Sequence, residues 1–193
     1  MKKSTRSLNS TLFLLMITIL LFIAMYVAGM ILFGGSGFAK PQMFLNLFID
    51  NAGLIVIAMG ETLAMITAGI DISVGSVTAL VCMVMANSME NHGVSAVTAV
   101  LMALGIGLAF GVVQGFLISY LDIQPFIVTL AGLYFGRGMT AVVNTEQIAI
   151  KNKTFLAWAN AKIYMPFGSY SGKGKFHPAY IYPTVVIALV VVL

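Results

Sequence analysis

Two acidic side chains and one basic one, Glu61, Asp71 and Arg137, stand where the surrounding sequence is apolar, and they set the chemistry open to this chain. Asp71 belongs to Gly69-Ile70-Asp71-Ile72-Ser73-Val74-Gly75-Ser76, a polar interval within the largely apolar stretch from Asn51 to Asn87. Asp71 and Ser73 suit the capping of amide groups that open a helix, while Gly69 and Gly75 allow a turn and the close approach of another group. Carboxylates at membrane depth also bind protons or cations, so Asp71 with Glu61 would suit an ion-coupled secondary transporter. An intramembrane enzyme has fewer materials. His92 and His177 lie in polar loops, and the chain has no His-Glu-x-x-His pattern and no paired membrane carboxylates. Cys82 is the single cysteine, forms neither an internal disulfide nor a multi-cysteine metal site, and reads as a small core residue.

The elements around Asp71 follow from length. The 37 residues from Asn51 to Asn87 would reach roughly 55 Å as one helix, well beyond a hydrocarbon core about 30 Å thick. Two complete spans need about 20 residues each, and Val77 to Asn87 supplies only 11. The pattern therefore predicts a full helix, a break around residues 69–76, and a shorter helix that starts inside the membrane. Backbone groups freed at that depth must be buried in protein or line a watery cavity, which makes the break a candidate pathway. The plainer alternative is a tight turn at the membrane surface with Asp71 as a solvated cap.

Composition agrees with a membrane setting. Hydrophobic residues make up 60% of the chain and charged residues 8%, which excludes a soluble domain and leaves no basic stripe for nucleic acid. The fold class expected is an all-α, polytopic membrane helix bundle, with spans near 11–33, 51–69, 76–88 (short), 94–120, 126–143 and 181–193. Residues 1–10 form a basic head. The apolar run Thr11 to Phe33 is 23 residues, longer than the core of a signal peptide, so it reads as a retained span. Lys2, Lys3 and Arg6 place the amino terminus in the cytoplasm, and the run leaves the membrane at Gly34-Gly35-Ser36-Gly37. Pro41 opens a short interfacial segment, residues 42–50, ahead of the second span.

In the third hydrophobic stretch, Val94 to Tyr120, Gly107, Gly111 and Gly115 recur every four residues, with Ala103 extending the row. That face is expected to pack against another helix, as are Gly132 and Gly136 in the next span. Arg137, costing roughly 2.5 to 3.5 kcal/mol at a helix centre, should snorkel or face a partner, with Glu61 or Asp71 as candidates. A loop over residues 144–180 carries five lysines. Chain order places it outside although its lysines favour the inside; it would dock an acidic protein surface or remain solvated. Ile181 to Leu193 would rise about 20 Å, too short for a span, so the last helix is expected to be cut by an incomplete chain.

The motifs carry a resemblance. Residues 60–80, with Ala68-Gly69-Ile70-Asp71-Ile72-Ser73-Val74-Gly75-Ser76, resemble the membrane subunits of the ribose and galactose class of bacterial ABC sugar importers. A second match is Gly111 to Gly115 followed by Tyr120-Leu121-Asp122-Ile123-Gln124-Pro125-Phe126-Ile127-Val128-Thr129-Leu130-Ala131-Gly132, with Arg137-Gly138 beyond. The Asp50-Asn51 pair and the Leu130-to-Arg137 run look most like the galactofuranose-type permease.

This resemblance implies a permease subunit of the bacterial inner membrane, itself no enzyme and without a cofactor of its own. It would pair with a second copy or a sister subunit and receive a monosaccharide from an extracytoplasmic binding protein. Cytoplasmic subunits would bind and hydrolyse ATP; accordingly, the chain has no Walker sequence. The break would lie beside the translocation route, lined by Gly69, Asp71, Ser73, Gly75 and Ser76. Sugar hydroxyls call for hydrogen bonds and ring stacking, which Asn51, Ser73 and Phe126 would provide. Family members are much longer than this chain.

Overall fold

The computed structural model describes residues 4–36, 38, 40–67, 69–170 and 176–192. Lys2, Lys3, Gly37, Ala68, Lys173, Lys175 and Leu193, each used in the reading above, lie outside the described residues. The elements in chain order are α1 (Ser4–Phe33), a 3-10 turn (Gly34–Ser36), α2 (Pro41–Ile66), α3 (Val74–Glu90), α4 (Ala96–Ser119) and α5 (Pro125–Val143). They continue with α6 (Lys153–Ala159), strands β1 (Ile163–Tyr170) and β2 (Phe176–Ile181), and α7 (Pro183–Val192). The expected all-α bundle is what the chain forms, with one two-stranded sheet added. Among the described residues, four helices are long and apolar enough to cross a membrane: Leu12–Phe33 of α1, then α2, α4 and α5. The chain is a multi-pass membrane protein.

Boundaries differ from expectation at several places, beginning with α1, which starts at Ser4 within the expected basic head and not at residue 11. Pro41 opens a single helix that continues to Ile66, so residues 42–50 are the first turns of the second span and not a separate interfacial piece. After Pro41 that segment contains nothing that would interrupt a helix. The short helix is longer than expected, from Val74 to Glu90; it stops where Gly93 takes a left-handed φ of 64° and the Val94 N–H turns back to the Ser88 carbonyl at 3.0 Å. The loop over 144–180 is not irregular, since α6 and the β1–β2 hairpin are folded from it.

Two compact units divide the chain, one of Met1–Phe48 with Tyr164–Tyr180, the other of Ile49–Ile163 with Ile181–Leu193. In the first, Tyr26 packs on Phe38 and Phe44 with ring centroids 5.5 and 5.9 Å away. Gln42 meets the backbone of β2 at Tyr180, its Oε1 accepting the N–H at 2.8 Å and its Nε2 donating to the carbonyl at 3.1 Å.

In the second unit, α3 packs against both α4 and α5, which also meet each other where the Phe110 and Phe135 rings lie 5.8 Å apart. Gly69 and Pro125, Ser73 and Gly132, and Ser76 and Gly136 meet in the same order along both segments, so α3 and α5 run parallel. Ser73 meets Gln114 near the end of α4, and Met89 meets Ala96 and Ala99 at its start, so α4 runs antiparallel to both. Met85, Ile150 and Phe155 complete the apolar cluster at that second end.

Candidate functional site

The break between α2 and α3 is held by a small set of directed bonds. The Gly69 N–H closes the end of α2 on the Ala64 carbonyl at 3.0 Å. Asp71 Oδ1 accepts both the Ser73 N–H, at 2.8 Å, and the Ser73 hydroxyl, at 2.6 Å. Gln114 Nε2 from α4 donates to Ser73 Oγ at 3.0 Å. With its proton committed to the carboxylate, the Ser73 hydroxyl has only its lone pairs to offer the amide. The result is a directed chain, Gln114 to Ser73 to Asp71, ending on a negative charge. Thr129 of α5 donates to the Ile70 carbonyl at 3.0 Å, and Ser76 to the Ser73 carbonyl at 2.7 Å. The backbone groups freed by the break thus find side-chain partners on α3 and α5.

Capping differs from the expected scheme. Ser73 occupies the cap position of α3, but its side chain makes no capping bond. Asp71 instead binds the cap residue itself, since the hydroxyl is already committed to the carboxylate. Gly75 is exposed with nothing within 4 Å of where a Cβ would stand, so among the described residues no group makes the close approach expected there.

Ser73, Ser76 and Thr129 are 1%, 4% and 3% exposed, and among the described residues no buried side-chain nitrogen or oxygen lacks a partner. At 1.5 Å per residue, Gln114 stands about 7 Å inside the Ser119 end of α4, and Gly132 about 10 Å inside the Pro125 end of α5. Both helices have spanning length, so the polar cluster lies below the level where they end, within protein. Beside it, a cleft of about 440 Å³ runs between α4 and α5, walled by Phe110, Val113, Val128 and Phe135, with Gln114 in its lining.

Gly132 and Gly136 give these groups room. A Cβ on Gly136 would stand 2.8 Å from Ser76 Oγ, and one on Gly132 would collide with Gln114 Nε2. Gly107, Gly111 and Gly115 have nothing within 4 Å, so the helix expected across that row is not present among the described residues. Phe126 gives its carbonyl to Thr129 at 3.3 Å, while 48% of the residue is exposed. Asn51 is exposed on α2, about 22 Å before Ile66 along the helix. Glu61 is half-buried and Arg137 exposed, and no ion pair joins Arg137 to Glu61 or Asp71 among the described residues. Cys82 is exposed, contrary to the core position expected of it, because the side of α3 that carries it faces a cleft beside Gln147 and Ile148.

Sequence reasoning missed Gln114 and Thr129. Gln114 did leave a signal, as the one amide between Gly111 and Gly115 in an otherwise apolar helix. Thr129 left none, because a threonine in the second turn of an apolar helix ordinarily bonds within its own helix.

Known proteins resemble this chain over two thirds or more of its length. It is 40% identical to the inner membrane ABC transporter permease protein YjfF of Escherichia coli over 149 residues, 75% of this chain and 44% of that protein. It is 36% identical to the fructose import permease protein FruG of Bifidobacterium longum, covering 67% of this chain and 37% of that one. The galactofuranose transporter permease protein YtfT of Escherichia coli is 35% identical, over 68% and 38%. The galactofuranose-type permease therefore does not stand out from these relatives, of each of which the chain spans less than half. No solved structure matches. Residues 43–193 match the family described as the branched-chain amino acid transport system / permease component, and the chain belongs to that family.

Proposed function

We propose that this chain forms part of the translocation path for a monosaccharide in an ATP-driven importer of the bacterial inner membrane. The observation that carries the reading is the Gln114–Ser73–Asp71 chain, its central Ser73 buried and its two outer members half-buried below the level where α4 and α5 end. Polar groups at that depth are expensive and recur where a broken helix borders a solute route. The family name alone would fit an amino acid cargo. The relatives' names favour sugars: fructose for FruG, galactofuranose for YtfT and D-allose for AlsC.

On this reading Gly69, Asp71, Ser73, Ser76 and Gln114 border the route, with Gly75, Asn51 and Phe126 farther from its polar centre. A second permease subunit, an extracytoplasmic binding protein and cytoplasmic ATPase subunits carrying ATP complete the importer, and the amino terminus of this chain is cytoplasmic. Differential binding of ATP to two states of the assembly would open the path alternately to each side. The geometry adds nothing to the ion-coupled alternative: Asp71 is engaged by Ser73, and no cluster of three or more acidic, histidine or cysteine side chains that could hold a metal ion forms among the described residues.

The test is uptake of labelled fructose, galactose, allose and leucine by cells carrying the complete permease and its partners. Sugar uptake should stop on loss of the ATPase subunit and persist when ion gradients are collapsed. Gln114→Leu should reduce it about three- to tenfold, the range expected for losing one hydrogen bond on the path. Leucine uptake alone, or collapse of uptake with the ion gradient, would overturn the proposal.

A further inference from the structure

We infer that α6 is an interfacial anchor, seating Leu156 and Trp158 in the lipid headgroup layer at the membrane face where α3 ends and α4 begins. The inference is independent of what the protein transports.

Its first support is placement. Glu90, at the last position of α3, accepts the backbone N–H groups of Lys151 and Asn152 on Oε1, at 2.7 and 2.9 Å. Asn152 Oδ1 in turn accepts the N–H groups of Thr154 and Phe155, each at 3.1 Å, and so caps α6. Phe155 packs against the cluster of Met89, Ala96 and Ala99. These contacts pin α6 to the last turn of α3 and the first turn of α4. Because α5 runs antiparallel to α4, its Val143 end reaches the same level. Helices of spanning length end there, so that level is the boundary between bilayer and water.

Its second support is what α6 presents. Phe155 is its inward side chain, whereas Leu156 and Trp158 are 38% and 47% exposed. An indole at the end of a spanning helix has its apolar body in acyl chain and its N–H among headgroups, the arrangement that enriches Trp at membrane interfaces. Lys151 and Lys153 are exposed at the start of the helix, where ammonium groups would meet lipid phosphates. A seven-residue helix offers far less than the roughly 800 Å² that a specific protein interface takes from each partner. The exposed band of α4 begins at the same level, with Val97 and Leu101 at 54% and 61%, so lipid contact there is continuous with that of the spans.

Trp158 is the only tryptophan, so the native chain reports on itself. The chain is reconstituted in phosphatidylcholine–phosphatidylglycerol vesicles whose acyl chains are brominated near the headgroup or near the methyl end, with Trp158→Phe as the blank. Bromines near the headgroup should quench emission about twofold, those near the methyl end less, and aqueous acrylamide little. Glu90→Ala should release α6 and raise acrylamide quenching about twofold while helix content by circular dichroism stays constant. Quenching by acrylamide without any bromolipid effect would overturn the inference, as would shielding from both quenchers. An unchanged signal in Glu90→Ala would overturn the role given to Glu90.

Discussion

Two rows of glycines with the same four-residue spacing meet opposite fates in this chain. On α5, Gly132 and Gly136 lie against α3 so closely that a Cβ on Gly136 would be 3.1 Å from the Cβ of Ser76 and 3.3 Å from its backbone carbon. On α4, Gly107, Gly111 and Gly115 face open space. Spacing makes a close approach possible, but it does not say which approach is used. What separates the rows is the residue opposite. Ser73 and Ser76 are small and carry hydroxyls that must be satisfied inside the protein, and a neighbouring helix without side chains lets them be enclosed. The α4 row has no such group across from it among the described residues.

The largest test of this contrast is Gly136→Leu. The neighbour it would strike includes the Ser76 backbone, which cannot swing aside, so α3 and α5 must separate at a cost of about 3 kcal/mol. A lowered midpoint in thermal or denaturant unfolding in detergent is the expected readout. An unchanged midpoint would mean that the two helices are not in contact.

Gly132→Ala should cost less, about 1.5 kcal/mol, because the group it meets first is the end of the flexible Gln114 side chain. Swinging that amide away breaks its bond to Ser73, so the substitution acts partly through Gln114. Gln114→Leu alone should cost about 1 kcal/mol, the usual net value of one hydrogen bond. The double variant should then lose less than the two single losses combined, by about 0.5 kcal/mol or more. Strict additivity would separate the glycine from the polar chain and weaken the contrast between the rows.

How much of this could be read beforehand varies along the chain. Spans over α1, α4 and α5 were legible because an apolar run of about 20 residues has few other uses. The break at Asp71 was legible because 37 residues exceed one span and fall short of two. The continuation of α2 back to Pro41 was hidden by its mixed polarity, and the strands β1 and β2 by a composition that looked like loop. At the site, Asp71 and Ser73 stood out as polar residues inside an apolar segment. Their partners did not, since the pairing of Ser73 with Gln114 and of Ile70 with Thr129 depends on helices 41 and 59 residues away in sequence. Local pattern contains a residue's own chemistry and omits what the fold sets across from it.

Gly111→Ala is the smallest effect and the sharpest separator. A methyl group there meets nothing within 4 Å, and alanine is the better helix former by up to about 1 kcal/mol in water, so stability in detergent should rise by a few tenths of a kcal/mol or stay level. The same substitution in a longer relative-length protein, or in an assembled pair of permease subunits, examines a surface that another helix is free to use. A loss there of about 1 kcal/mol or more, beside no loss in this chain, would show that the α4 row is a contact completed from outside these residues. The two rows would then differ in where their partner comes from, with α5 meeting its own chain and α4 meeting another segment. No loss in either setting would leave the α4 glycines facing lipid, and only the α5 pair would be a packing feature.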